Sequence, residues 1–125
     1  MYVCLNKVFS RLLKKANIDD RNINEAIHEV LQGNFIQLGH NLYKKRIAAR
    51  HRGKRGGYRS ILYYRRGDLI VFMYLFAKKD RANITTKEMK ELIEIARNYD
   101  INLVGNNIKK AIDKGILVRW NYEEQ

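Results

Sequence analysis

The chain has 125 residues, 25 of them Lys or Arg against 13 Asp or Glu, and a formal net charge of +12. That length predicts one domain, 1–125, and an excess of cations this large calls for a polyanionic partner: nucleic acid, the ribosome, an acidic membrane surface or a highly acidic protein. A single cysteine (Cys4), three scattered histidines (His28, His40, His51) and a longest apolar run of only Leu69 to Ala77 argue against a disulfide framework, a metal site and a membrane span of roughly 20 residues.

Taken in chain order, Leu5, Val8, Phe9, Leu12, Leu13 and Ala16 follow the spacing of an amphipathic helix, and Met1 to Leu5 can instead open as a short strand. Asn17-Ile18-Asp19-Asp20 breaks the pattern. Asp20 or Asn22 can then cap a second helix, which carries Ile23, Ile27, Val30 and Leu31 on one face and stops at Gly33. From Leu42 the period turns extended. Leu42 to Ala48 reads as a strand, and Ala49 to Arg55 as a basic loop. Gly56 to Arg65 and Leu69 to Ala77 read as a hairpin turned at Arg66-Gly67-Asp68. In its second strand Phe72, Tyr74 and Phe76 form one alternating set and Val71, Met73 and Leu75 the other, so both faces are apolar and the strand should be central.

Thr85 and Glu88 form a capping box for a helix that buries Met89, Leu92, Ile93 and Ala96. Asn102 to Lys114 reads as a further helix ending at Gly115, and Ile116 to Trp120 as a last short strand. The class is α+β: a small antiparallel sheet flanked by N-terminal helices and a C-terminal helix pair. Nothing at the start of the chain has the make-up of a secretory signal, and the expected location is cytoplasmic.

The charge is not spread evenly. Between Val30 and Gly67 there is no acidic residue, while Lys44, Lys45, Arg46, Arg50, Arg52, Lys54, Arg55, Arg59, Arg65 and Arg66 all fall there. Strand alternation puts Lys44 and Arg46 on one face and Tyr43, Lys45 and Ile47 on the other. Two basic strands joined by a basic loop, with Gly56-Gly57 letting a backbone come close, suit a phosphodiester chain. Cutting RNA without a metal takes a base for the 2′-hydroxyl, a cation for the phosphorane and an acid for the leaving 5′-oxygen. Lys44 and Lys45, crowded by cations, are candidate bases. Arg59 is the candidate phosphate clamp, and His51 or Lys78 the candidate acid.

Lys-Lys-Arg-Ile-Ala at 44–48, Gly-Lys-x-Gly-Gly-Tyr-Arg at 53–59, Phe-Ala-Lys-x-Asp at 76–80 and Asn-Ile at 83–84 resemble the blocks of RelE/HigB-type toxins of the RelE/ParE superfamily. The resemblance runs from Phe9 to Trp120. It implies a RelE-like α+β endoribonuclease of a type II toxin–antitoxin system, an mRNA interferase that cuts messages at the ribosome and inhibits translation without a cofactor. It also implies a cognate antitoxin, commonly a helix-turn-helix protein, that caps the basic surface. By position, Arg59 falls on the phosphate-stabilising arginine, Lys44 and Arg46 on the strand that supplies basic residues to the active site, and Lys78 on the lysine of the Phe-Ala-Lys block; His51, where many members have glycine, completes the candidate catalytic set by its chemistry alone. Lys45, Arg50, Arg52, Lys54, Arg55 and Arg65 are the candidate RNA-binding set. Two other readings stand beside this one: a ParE-like poison of DNA gyrase, and a non-catalytic nucleic-acid binder using the C-terminal helix pair and final strand as a winged helix-turn-helix.

Overall fold

The computed structural model describes residues 1–51 and 56–122. Its first strand, β1 (Tyr2–Asn6), passes directly into a helix because Asn6 ends it: the Asn6 side-chain oxygen accepts the Phe9 N–H at 2.8 Å and caps α1 (Lys7–Lys15). The alternative of an opening strand is therefore the observed one. α2 (Asp20–Leu31) is capped by Asp19 rather than by Asp20 or Asn22. The Asp19 carboxylate accepts the Asn22 N–H, and the Asn22 side-chain oxygen accepts the Asp19 N–H, each at 3.0 Å. At the other end Gly33 takes φ +83°, its N–H bonding Val30 O and the Asn34 N–H bonding Glu29 O, which closes the helix as its sequence predicted.

A strand follows that the period had not revealed. β2 (Ile36–Gly39) turns through His40 and Asn41, both at positive φ, into β3 (Leu42–Ile47). β4 (Tyr58–Arg65) and β5 (Leu69–Ala77) form the expected hairpin, with Gly67 at φ +86° in the turn. α3 (Thr86–Asn102) begins at the predicted capping box, Thr85 accepting the Glu88 N–H and Glu88 accepting the Thr85 N–H. α4 (Asn106–Asp113) is shorter than expected because α3 runs on through Asn102. Gly105 separates the helices, and β6 (Leu117–Arg119) closes the fold.

The sheet has six strands in the order β2-β3-β4-β5-β1-β6, antiparallel except where β1 lies parallel to β5. The α+β class holds, and of the six strands only β2 had no expected counterpart. β5 is indeed interior, between β4 and β1, and one core packs on each face. α3 and α4 bring Leu92, Ala96, Tyr99 and Ile108 against Leu42, Ile61, Tyr63, Val71 and Met73. α1 and α2 bring Phe9, Ile23 and Ile27 against Ile47, Leu62, Ile70 and Phe72. Phe9 and Phe72 stack at 5.1 Å with neither exposed, each burial contributing roughly 1.5–3 kcal/mol.

One irregularity re-aims side chains. Ile61 pairs with Tyr74 but Leu62 pairs with Phe72, leaving Met73 as an extra residue in β5. The bulge breaks the expected alternation: Met73 and Tyr74 both pack with the α3 side, while Phe72 and Leu75 pack with the α1 side. No helix among the described residues is long and apolar enough to cross a membrane.

Candidate active site

The register between strands assembles the front of the sheet at its Ala77 end. Arg46 on β3 lies opposite Arg59 on β4, Lys44 lies opposite Ile61, and Arg59 lies opposite Phe76 on β5. Alternation therefore sends Lys44, Arg46 and Arg59 to the same face, the one whose other end α3 and α4 cover. They line an open groove of ≈ 360 Å³ together with Asn34, Phe35 and Ile36, and the groove also reaches Lys45. The strands are locked beside it by the Ser60 hydroxyl, which donates to Lys45 O at 2.9 Å with Ser60 fully buried.

Arg59 is only 6% exposed, and among the described residues no carboxylate pairs with it. Its hydrogen bond runs from Nη1 to Tyr58 O at 3.1 Å. Burial, reinforced by Arg46 across the strand pair, pulls its proton affinity down from the ordinary arginine value. Like charges directly opposite on neighbouring strands destabilise a sheet, and an arginine removed from water without a counter-ion costs more. An anion in the groove relieves both. That is the electrostatic condition of a phosphate site.

Of the other expected residues, Lys78 is exposed and its N–H bonds Gly57 O at 3.0 Å, which extends the β4–β5 pairing past Ala77 and places it at the Arg59 end. Arg50 and His51 are exposed at the start of the basic loop. The Arg50 N–H is tied to Asn17 O at 2.7 Å, and His51 holds φ +59°, uncommon for a residue with a side chain. Arg52, Lys54 and Arg55 lie outside the described residues.

Two residues of the candidate RNA-binding set are placed elsewhere. Lys45 is 4% exposed and points to the opposite face, its Nζ lying 2.8 Å from Glu29 Oε1 on α2. Arg65 stands at the far end of β4. There it grips Asp68 at 2.8 and 3.1 Å and donates to Leu103 O and the Tyr63 hydroxyl, fastening the hairpin turn to the end of α3. Both cations have structural partners. For Lys45 the alternation already told it apart from Lys44; its carboxylate partner, 16 positions earlier, was not readable from local spacing.

Arg81 was missed. Its guanidinium lies over the rings of Tyr74 and Phe76, at 5.5 and 5.1 Å from their centroids, and is held bidentately by Glu88 at 2.9 and 2.8 Å. The Arg81 contact and two bonds from Thr85 hold the Glu88 carboxyl down at about 2. The signal was the arginine lying between Asp80 and Asn83, inside the block that drew attention to Lys78. Cys4 offers no nucleophile: it is fully buried, and desolvation pushes its thiol up to about 11. Among the described residues no group of three His, Cys, Asp or Glu is placed to hold a metal ion.

A family model described as "RelE toxin of RelE / RelB toxin-antitoxin system" matches residues 1–119. No curated protein matches the chain.

Proposed function

The chain belongs to the RelE toxin family, the toxins of toxin–antitoxin pairs, and on that premise we propose that it is an endoribonuclease that cuts messenger RNA on the ribosome and stops translation. It acts in the cytoplasm, and its cognate antitoxin holds it in check. The observation that carries this reading is the buried Arg59, facing Arg46 and lacking a carboxylate, at the side of an open groove.

In the proposed reaction the scissile phosphate sits on Arg59, whose planar fork binds two of its oxygens and holds the charge that grows as the phosphorane forms. Lys44 takes the proton from the 2′-hydroxyl on its amine nitrogen, and Arg46 grips the adjacent phosphate. The 2′-oxygen attacks phosphorus, the bond to the 5′-oxygen breaks, and Lys78 or His51 protonates that oxygen. The products are a 2′,3′-cyclic phosphate and a 5′-hydroxyl. Each positioned proton transfer is worth about 10²–10⁴-fold. Arg50 and the loop cations extend the grip on the RNA backbone, while Lys45 and Arg65 hold the frame.

Induced expression tests it. Wild-type protein should arrest translation and leave messages cut with cyclic-phosphate ends, and folded Arg59→Ala should do neither. Arrested growth with intact messages and a DNA-damage response would instead mark a gyrase poison, and undiminished cleavage by Arg59→Ala would remove the site assignment.

A further inference from the structure

The proposed cleavage uses the cations of the groove and leaves its outer side without a task. That side is β2, the edge strand of the sheet, with the segment leading into it from α2. Ile36 pairs with Lys44, and cross-strand partners share a face, so Ile36 stands on the groove directly beside Lys44. It is 53% exposed, although its side chain is large and wholly apolar. Its neighbours are committed elsewhere: Leu38 packs against the core under α3 and α4, and the Phe35 ring lies 4.5 Å from that of Tyr43 on the opposite face.

Asn34 lines the groove just before it. The Asn34 backbone N–H bonds Glu29 O at 2.9 Å, which ties the residue to the end of α2. Its exposed side-chain amide has no hydrogen-bond partner among the described residues. The outer side of the groove thus offers an open apolar surface and a free amide, neither of them charged, next to three cations. A nucleotide divides in the same way, into a charged phosphate and a flat base with an apolar face and hydrogen-bonding edges. The order of strands says which nucleotide is meant. Arg59 on β4 holds the scissile phosphate and Lys44 on β3 takes the 2′-hydroxyl, so the sugar bearing that hydroxyl lies toward β2. Its base comes next to Ile36.

We infer that Ile36 and Asn34 form a subsite for the nucleobase on the 5′ side of the cut, Ile36 against the plane of the base and Asn34 at its edge. The inference rests on the ribonuclease reading and deepens it. A purine lays two rings against Ile36 where a pyrimidine lays one, so it covers more apolar surface and is the base the subsite favours. The Asn34 amide, with a donor and an acceptor side by side, meets the polar edge and adds to the hold without choosing by size.

The test is cleavage by the full-length protein of messages carried on purified ribosomes, alike except for the base on the 5′ side of the cut. The readout is kcat/KM for the purine message over that for the pyrimidine message, taken within each variant, so that losses of folded protein or of overall rate cancel. Wild type should favour purine by about tenfold. Ile36→Ala should bring the ratio down to about 2 or below, and Ile36→Phe, which gives the base a ring to stack on, should raise it about threefold. Asn34→Ala should slow both messages by about two- to threefold. Ile101→Ala, the same truncation at an exposed isoleucine of α3, should leave the ratio as in wild type. A wild-type ratio near one overturns the subsite and leaves the ribonuclease reading standing. So does a ratio that both Ile36 variants keep within about twofold of wild type, or one that Ile101→Ala lowers equally. If wild type cuts no message at all, the ribonuclease reading falls and the subsite falls with it.

Discussion

Lys45 and Arg59 stand on neighbouring strands and are almost equally withdrawn from solvent, at 4% and 6% exposed, yet their surroundings are opposite. On the back of the sheet Lys45 meets Glu29 from α2 at 2.8 Å. On the front Arg59 meets another arginine. Burying a charge is costly in either place, and a protein repays that cost with a partner in the fold or leaves it to be met by a ligand. The back face shows the first arrangement and the front face the second. Function is therefore better sought where a buried cation lacks its partner than where cations are most numerous.

The comparison breaks first at Arg59. Arg59→Ala should lower the rate of RNA cleavage by about 10²–10³-fold, the loss expected when one donor to a charged transition state is removed. Its stability in urea should stay level or rise, because the variant removes a buried cation that lies opposite the like charge of the exposed Arg46. A large loss of stability would show that Arg59 belongs to the frame, as Lys45 does. The reverse is expected at Lys45: Lys45→Met removes the ammonium packed against Glu29 and should cost about 3 kcal/mol in urea unfolding. The remaining folded enzyme should cleave normally. Replacing both partners, Lys45→Met with Glu29→Leu, should recover most of that stability, since a well-packed apolar pair commonly equals a buried ion pair.

Arg46 sharpens the front face by a smaller amount. Arg46→Ala leaves Arg59 in place but removes the opposing charge, so stability should rise by roughly 0.2–1 kcal/mol. RNA affinity should fall, and the slope of log affinity against log salt should decrease by about 1, the mark of one lost phosphate contact. A stability gain without any change in salt dependence would separate Arg46 from the RNA.

Much of this contrast was legible in the sequence. The acid-free run from Leu31 to Arg66 located the cations, and alternation along Leu42 to Ile47 placed Lys44 and Arg46 together and Lys45 apart. The caps at Thr85 and Gly33 and the full span of β5 were readable because they rest on local chemistry. Asp19 was misjudged by one position because Asp19 and Asp20 offer the same carboxylate, and only the backbone decides which one caps. β2 escaped because its four residues are largely exposed and the alternation Ile36-Gln37-Leu38 is too short to stand out, and it exists only by pairing with β3. The bulge at Met73 had no local signal either. Without it, Tyr74 would stay on the Phe72 side, away from Arg81. Register and partners between distant segments, such as Lys45 with Glu29, are tertiary facts that one-dimensional spacing does not carry.

Arg81 lies between the two cases. It stands on the front side over Tyr74 and Phe76, where a ligand-seeking cation would stand, yet Glu88 engages it as Glu29 engages Lys45. Acid tests which description holds. The Glu88 carboxyl is held at about 2 against an ordinary 4.5, so the folded state binds its proton less readily than the unfolded chain does. The stability from this contact is therefore fully present above pH 4.5 and is lost as pH falls toward 2. Glu88→Gln has no carboxyl to titrate there. The difference in urea midpoint between wild type and Glu88→Gln should be constant from neutral pH to about 5 and then shrink steadily with acid, while other carboxylates cancel in the comparison. The effect should be modest, since both side chains are about a third exposed and water screens the pair. A difference that does not change with pH would mean that the charge of Glu88 stabilises neither the Arg81 contact nor the cap on Thr85. Arg81 would then join Lys44, Arg46 and Arg59 as a front-face cation without a charged partner among the described residues, available to the same anion as Arg59.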